Sequence, residues 1–262
     1  MNTFVNAILN PVNLLIDCGN SSLKLALSKD LVIDESYSIE FRQIRTFKNN
    51  VKRLLARIKR QNKLDGIYII YVNKEMKDLI EPILLNILVK TPIKLLNRRS
   101  FKTFNLKYKN LSSFGIDRFY NCLGGKALYK SSNLILVDMG TATTIDVISK
   151  EFNYLGGIIL PGSLTALSSL INKTSLIGNH SILVDDKLLG LSTKECLSSG
   201  FVNGQVLMIK GIIDEIRRTH QISFKVIFTG GVSNLFLSFF PEYEFDSNLL
   251  FKGMAFKLLE DL

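Results

Sequence analysis

The feature that most constrains this chain is a pattern that occurs twice. Residues 134–148, LILVDMGTATTIDVI, run from four aliphatic residues into Asp138. Met139, Gly140, Thr141, Ala142 and Thr143 follow, and then an alternating apolar run. Residues 14–27, LLIDCGNSSLKLAL, repeat the order through Asp17, Cys18, Gly19, Asn20, Ser21 and Ser22, with Lys24 inside the second run. Each copy reads as strand, tight turn, strand, with a carboxylate and a glycine at the bend. The offset is 121 residues, 138 minus 17. A long-period repeat means two structurally similar halves. A buried strand that ends in Asp needs a reason for the charge, because an unpaired buried carboxylate is costly. A bound cation, or a water-bridged metal on a phosphate, supplies one. The glycine lets backbone approach a ligand, and turn N–H groups and hydroxyls offer donors. Taken alone, each copy is also compatible with an ordinary hairpin whose Asp caps its own turn.

Composition narrows the field. At 262 residues and 47% apolar content the chain can bury two ordinary cores, and the repeat favours two domains over one. No uninterrupted apolar run reaches a membrane span, and MNTFVNAILNPVN has no basic region, so it reads as a short leader and not a signal peptide. Cys18, Cys122 and Cys196 are odd in number and widely spaced, which fits a reducing cytoplasm and argues against disulfides or a zinc site. His180 and His220 sit in no motif, so triad chemistry has no support. The net charge of +10 is concentrated between Arg42 and Lys63, where basic residues interleave with Val51, Leu54, Leu55 and Ile58 at helical spacing. That is an amphipathic helix with a solvated basic face. Aromatic residues are not interleaved there, so a nucleic-acid partner is disfavoured.

Along the chain, Leu31–Ile39 extends the first hairpin into a meander. A basic helix over 44–62 follows, then a buried strand at Gly66–Val72, a helix over Lys74–Leu88 and a short strand at Pro92–Leu96. Residues 97–115 read as a polar, basic loop that contributes to a site, with Ser112 and Ser113 as caps for a helix from Gly115 to about Lys130. The second half repeats the order. A third strand lies near 153–160 and Pro161-Gly162 starts a helix. Residues 172–190 are loop-like, and a long helix spans 193–218. A strand at Phe224–Phe228 leads into Thr229-Gly230-Gly231. A short strand near Tyr243–Phe245 and a helix over 248–260 finish the chain. This is a mixed α/β order.

The short motifs fall in one order along nearly the whole chain. They are Asp17-Cys-Gly-Asn-Ser21 with Lys24, Tyr108 before Gly115-Ile116-Asp117-Arg118, and Asp138-Met-Gly-Thr-Ala-Thr143 with Asp146. After these come Tyr154-Leu-Gly-Gly157, Pro161-Gly162, Gly190-Leu-Ser-Thr193, Ser199-Gly200, Thr229-Gly-Gly231 and Leu249–Gly253. In that order and spacing the chain resembles the type III pantothenate kinases, within the actin/hexokinase/acetate-kinase superfamily. The resemblance implies two ribonuclease-H-like domains, mixed sheets flanked by helices, with a nucleotide cleft between them. The domains would span 12–115 and 116–262.

The resemblance also implies roles. Asp17, Cys18, Gly19, Asn20, Ser21, Ser22, Leu23 and Lys24 would bind ATP phosphates, with Asp17 holding Mg²⁺, in part through water. Asp117 would be the general base on pantothenate. Gly115, Ile116, Arg118 and Tyr108 would bind pantothenate, and Thr193 would do so across a homodimer. Asp138 would hold a monovalent cation, K⁺ or NH₄⁺, Thr141 would contact phosphate, and Gly230 and Gly231 would face adenine or ribose. From the residues alone, Lys24 can equally be a solvent-facing strand residue, and Asp117-Arg118 a helix cap with a surface ion pair. Tyr108 can be a packed loop aromatic and Thr193 an N-cap. The chain departs from the family pattern at Cys18, at Leu111 and Ser192, and over 70–76 and 172–189. The expected activity is ATP-dependent phosphorylation of pantothenate, the first step toward coenzyme A. The alternatives are another small-molecule kinase on the same fold, or a non-catalytic transcriptional accessory factor.

Overall fold

The repeat is carried by two sheets of one topology. A computed structural model describes residues 11–98, 104–174, 182 and 187–260. Residues 1–10 of the expected 13-residue leader and most of the expected loop over 172–190 lie outside the described residues, and the leader's last three residues already belong to the first strand. In the first sheet, β1 (Pro11–Cys18), β2 (Ser22–Lys29) and β3 (Val32–Glu40) form an antiparallel meander. Strand β1 also pairs in parallel with β4 (Lys63–Tyr71), which pairs in parallel with β5 (Ile93–Leu95). The order is β3-β2-β1-β4-β5. The second sheet repeats it with β6 (Leu134–Met139), β7 (Ala142–Ile148), β8 (Tyr154–Pro161), β9 (Lys225–Thr229) and β10 (Glu244–Phe245), in the order β10-β9-β6-β7-β8.

Parallel pairing requires a crossover, and helices supply it. Helix α1 (Ile44–Gln61) links β3 to β4, and α2 (Lys77–Ile87) links β4 to β5. Helix α1 buries Phe47, Val51, Leu55 and Ile58, spaced by four, four and three residues, against Leu14, Ile16, Leu23 and Leu25 of the sheet. Each such side chain contributes roughly 1.5–3 kcal/mol by leaving water. The basic residues occupy the opposite face, as the periodicity predicts.

Helix α3 (Ile116–Leu128) precedes the second sheet and is buried on almost every side. Within the second sheet's half, α4 (Ser163–Lys173) starts after Gly162. Helix α5 (Thr193–His220) packs Phe201, Val202, Val206, Ile209 and Ile213 against Ile135, Val137, Ile145 and Val147. Among the described residues α5 is the one helix long and apolar enough to cross a membrane by length and composition. Its apolar stripe is used inside this core. Helix α6 (Leu249–Glu260) closes the chain.

The chain divides into two compact units. One comprises Met1–Phe101, Asn110–Ala127 and Leu250–Leu262, and the other Lys102–Lys109 and Leu128–Leu249. These limits differ from a division at 115/116. At Gly253 a Cβ would collide with the carbonyl oxygen of Tyr120, so α3 and α6 pack closely on each other, and both fall in the first unit.

Candidate active site

In the first unit, the β1–β2 hairpin sets Asp17 directly across from Lys24. Cross-strand neighbours in an antiparallel pair share a face, so both residues lie on one face of the hairpin. Asp17 is only 4% exposed and Lys24 is half-buried. The bend is Gly19, Asn20 and Ser21, with Asn20 and Ser21 exposed. It is fixed on both sides. Gly19 N–H donates to Ser22 O (3.1 Å), and Phe41 N–H donates to Ser21 O (2.9 Å). Cys18 O accepts from both Val72 and Asn73 N–H (3.0 and 3.1 Å). Cys18 itself is fully buried, and burial, reinforced by the charge of Asp17, pushes its thiol up to about 12. It packs as a neutral thiol beside the carboxylate.

The second constellation of this unit opens α3. Asp117 is half-exposed, and its Oδ1 accepts from Arg118 N–H (2.8 Å). Gly115 is required by close approach, since a Cβ there would stand 2.5 Å from Asp117 Oδ1. Arg118 is buried at 5% exposure, with its guanidinium 4.8 Å over the Phe114 ring. A surface ion pair does not describe this arrangement. Ser112 and Ser113 do not cap α3. They form a short 3-10 turn whose cap is Asn110, which accepts from Ser112 N–H (3.1 Å). An Asn side chain reaching two residues ahead closes this turn more readily than the serines can close the helix.

In the second unit, the bend of the β6–β7 hairpin has two residues, Gly140 and Thr141. Asp138 lies opposite Thr144 and is half-buried. Two glycine turns close on this bend. Gly230 has φ +92°, and a Cβ there would collide with Asp138 Oδ1 and Met139 O. Gly162 leads into α4, where a Cβ would lie 2.5 Å from Thr141 O. Gly162 N–H and Thr165 Oγ1 both donate to Thr141 O (3.1 and 2.7 Å). The structure therefore brings Asp138, Thr141 and Gly230 together. Gly231, next in the chain, has open space around its Cα.

Tyr108 and Thr193 belong to the same unit but to other elements. The Tyr108 ring stands edge-on to Tyr154 at 6.1 Å, and Tyr154 Oη donates to the buried carboxylate of Asp146 (2.9 Å). Tyr108 is therefore a packed aromatic that still keeps part of its surface exposed. Thr193 is not the N-cap of α5. Ser192 is, accepting from Glu195 N–H (3.3 Å), while Glu195 accepts from Leu191 N–H (2.9 Å). A serine followed three residues later by Glu makes a capping box, which leaves Thr193 as the first helical residue.

The donors fit the ions that the motifs imply. Near the second bend, Thr143 and Ser163 are buried, and their Oγ atoms have no hydrogen-bond partner among the described residues. A buried hydroxyl left so costs about 1–3 kcal/mol, so water or a cation belongs there. Asp138 pairs with Thr144 and so lies on the other face of the sheet from Thr143; its own carboxylate is the hard oxygen donor that suits K⁺ or NH₄⁺. No cluster of three His, Cys, Asp or Glu side chains exists among the described residues. Asp17 alone suits Mg²⁺, which keeps several waters and uses one or two carboxylates plus substrate phosphates. A cavity of about 850 Å³ opens between β3 and α1, but none of the expected site residues lines it. Two of its arginines are engaged, Arg42 with Glu40 (2.6 Å) and Arg57 with Tyr37 (3.1 Å).

Sequence reasoning missed Arg98. It donates to the carbonyl of Phe114 and to that of Ser112 (3.3 Å), while Tyr120 Oη donates to Asn97 O (3.1 Å). The only sequence signal was the basic character of the 97–115 loop.

Comparison with known proteins agrees with this layout. The sequence pattern of the type III pantothenate kinases matches residues 13–215. A type III pantothenate kinase of Borrelia hermsii is 32% identical over 242 residues, covering 90% of this chain and 88% of its own. Among solved structures, a conserved Baf family protein from Campylobacter jejuni, described as a transcriptional activator, superposes with a TM-score of 0.59 at 24% identity. It covers 95% of this chain and all of its own. MreB5 of Spiroplasma citri, bound to ADP, has a TM-score of 0.50 at 10% identity, covering 96% of this chain and 97% of its own. These last two share the fold. With three-quarters of its length matched in motif order, the chain belongs to the type III pantothenate kinase family.

Proposed function

We propose that this chain transfers the γ-phosphoryl group of ATP to the primary hydroxyl of pantothenate, giving 4'-phosphopantothenate, the first step of coenzyme A synthesis. One observation carries the reading. Within the matched span the motif carboxylates stand at the ends of buried strands or in the first turn of a buried helix, and not on solvated faces. Asp117 takes the proton of the attacking hydroxyl. The hydroxyl oxygen bonds to the γ-phosphorus, the bond to the β,γ-bridging oxygen breaks, and ADP leaves. A carboxylate base suffices because the transition state is loose and needs proton removal late. Arg118, held over Phe114, stabilises charge on the transferring group or fixes the pantothenate carboxylate. Gly115 and Ile116 shape the approach to that pair.

The first hairpin contributes turn N–H groups, Ser21, Ser22 and Lys24 to the ATP phosphates, and Asp17 holds Mg²⁺ through water. When bound, Mg²⁺ neutralises phosphate charge. Asp138 holds K⁺ or NH₄⁺. Thr141 contacts phosphate, and Gly230 with Gly231 lets backbone approach the nucleoside. Tyr108 contacts pantothenate. Thr193 acts across a homodimer, a reading supported by the exposed Leu188, Leu189 and Leu191 immediately before it. The cytoplasm is the expected compartment, since Cys196 is an exposed free thiol.

The test is ATP consumption with pantothenate against a panel of sugars and short acids, in K⁺ buffer. Turnover is expected with pantothenate alone. Asp117→Asn is expected to lower kcat by about 100-fold or more, the scale of general acid–base catalysis. Full turnover in Asp117→Asn would remove Asp117 from the mechanism.

A further inference from the structure

We infer that Arg98 is a positioning residue for phosphoryl transfer, acting on Asp117 and Arg118 through the main chain of Phe114; the inference rests on the function proposed above. The geometry runs in one direction. The Arg98 guanidinium donates to two carbonyls of the segment that enters α3, those of Phe114 and Ser112 (3.3 Å to the latter). A guanidinium is a planar fork whose donors bind two acceptors at fixed separation, so it sets the orientation of peptide groups as well as their position. The peptide that begins at the Phe114 carbonyl ends at the Gly115 nitrogen. Gly115 is the residue whose missing Cβ lets Asp117 Oδ1 come close. The Phe114 ring is fully buried and supports the Arg118 guanidinium at 4.8 Å. One residue therefore carries both the backbone against which the base is set and the ring on which the cation rests, and Arg98 fixes that residue.

One further contact ties the helix to a more distant stretch, and others close the segment locally. Tyr120, one turn into α3 and fully buried, donates to Asn97 O (3.1 Å), tying the helix to the residue before Arg98. Inside the segment, Asn110 accepts from both the N–H and the hydroxyl of Ser112 (3.1 and 2.7 Å). Asn110 closes the turn locally. Arg98 and Tyr120 anchor it to the stretch that follows β5. The guanidinium fork restrains the segment from another part of the chain.

The experiment compares Arg98→Ala, Arg98→Lys and the parent enzyme, with pantothenate turnover of the parent measured first. If the parent does not turn over pantothenate, the functional reading fails before this inference is reached. With turnover established, Arg98→Ala is expected to lower kcat/KM for pantothenate by about tenfold to 100-fold, the cost of misplacing a reacting group by a fraction of an ångström to one ångström. KM for ATP should stay within about twofold, because the hairpin that meets ATP is a separate element. Arg98→Lys can reach one carbonyl but not both, so it should recover only part of the loss. Added guanidinium at millimolar concentration should restore activity to Arg98→Ala but not to Asp117→Asn. Three results would overturn the inference: parental kcat/KM in Arg98→Ala, an equal loss for ATP and pantothenate, or a loss tracking a fall in Tm that guanidinium does not reverse.

Discussion

The two Asp-x-Gly hairpins share a strand order and a buried root, yet they differ at their tips. In the first, the bend has three residues and Asp17 faces a lysine. In the second, the bend has two residues, Asp138 faces a threonine, and two glycine turns press on it. Asp17 is buried with Lys24 across the ladder, while Asp138 is half-buried with Thr144 across from it. Duplication thus preserved the scaffold, and the residue across from the carboxylate sets what each copy attracts. A lysine across from the carboxylate adds the positive charge that the proposed phosphate–Mg²⁺ assembly calls for, whereas a threonine adds only a neutral oxygen.

The sharpest way to break this comparison is to neutralise each carboxylate in turn. Asp17→Asn is expected to cut kcat by about 100-fold or more, since it removes charge where the transferring phosphates are held. Its K⁺ requirement should be unchanged. Asp138→Asn is expected to have the smaller effect at saturating K⁺ and to raise the K⁺ concentration for half-activation by at least about tenfold. Steady-state rates across a K⁺ titration read both. If Asp138→Asn leaves the K⁺ dependence as it was, or the parent is equally active in Na⁺ alone, the division of labour is wrong.

The glycines give the next effect. Gly230 combines φ +92° with a Cβ that would strike Asp138 Oδ1. Gly230→Ala is expected to destabilise the protein by about 2–4 kcal/mol, from backbone strain and overpacking together. Gly19, its counterpart in being close to a turn carbonyl, has a Cβ position 3.1 Å from Ser22 O and no positive φ. Gly19→Ala should cost less than about 1 kcal/mol. Urea unfolding midpoints at constant slope measure the pair. Equal losses would show that the two bends are built alike after all.

Much of this was legible in the sequence, for identifiable reasons. Aliphatic runs that stop at Asp-x-Gly marked both hairpins, and the 4-4-3 spacing of Phe47, Val51, Leu55 and Ile58 marked α1 and its buried face. Local patterns of that kind need no knowledge of distant residues. The unread features all depend on contacts between segments far apart in the chain. Gly253 looks like any helical glycine until Tyr120 is found against it, and that contact packs α3 on α6 in the first unit. Arg98 looks like loop charge until the carbonyls of Ser112 and Phe114 are placed in its fork. Caps fall between these cases. Ser192 rather than Thr193 begins α5, a shift of one residue that the Ser192–Glu195 spacing could have decided.

The smallest expected effect concerns the residue between Asp and Gly, Cys18 in one hairpin and Met139 in the other. Both are buried, so both serve packing, but only the cysteine titrates. Folding raises the Cys18 thiol from an ordinary 9.0 to about 12. The protonated form is the one favoured in the native state, so its stabilising contribution is complete below about pH 9. Above that, the unfolded chain releases this proton while the folded chain keeps it, and stability falls as pH rises toward 12. Between pH 9 and 10 the loss from this one group is at most about 1 kcal/mol. Cys18→Ala lowers stability at every pH through lost packing, yet its decline above pH 9 should be shallower than the parent's. Met139→Ala should lose packing energy and keep the parental slope. Parallel alkaline slopes in all three proteins would mean that burial, with Asp17 beside it, does not hold Cys18 as a neutral thiol, and that the first hairpin is less closed than its geometry implies.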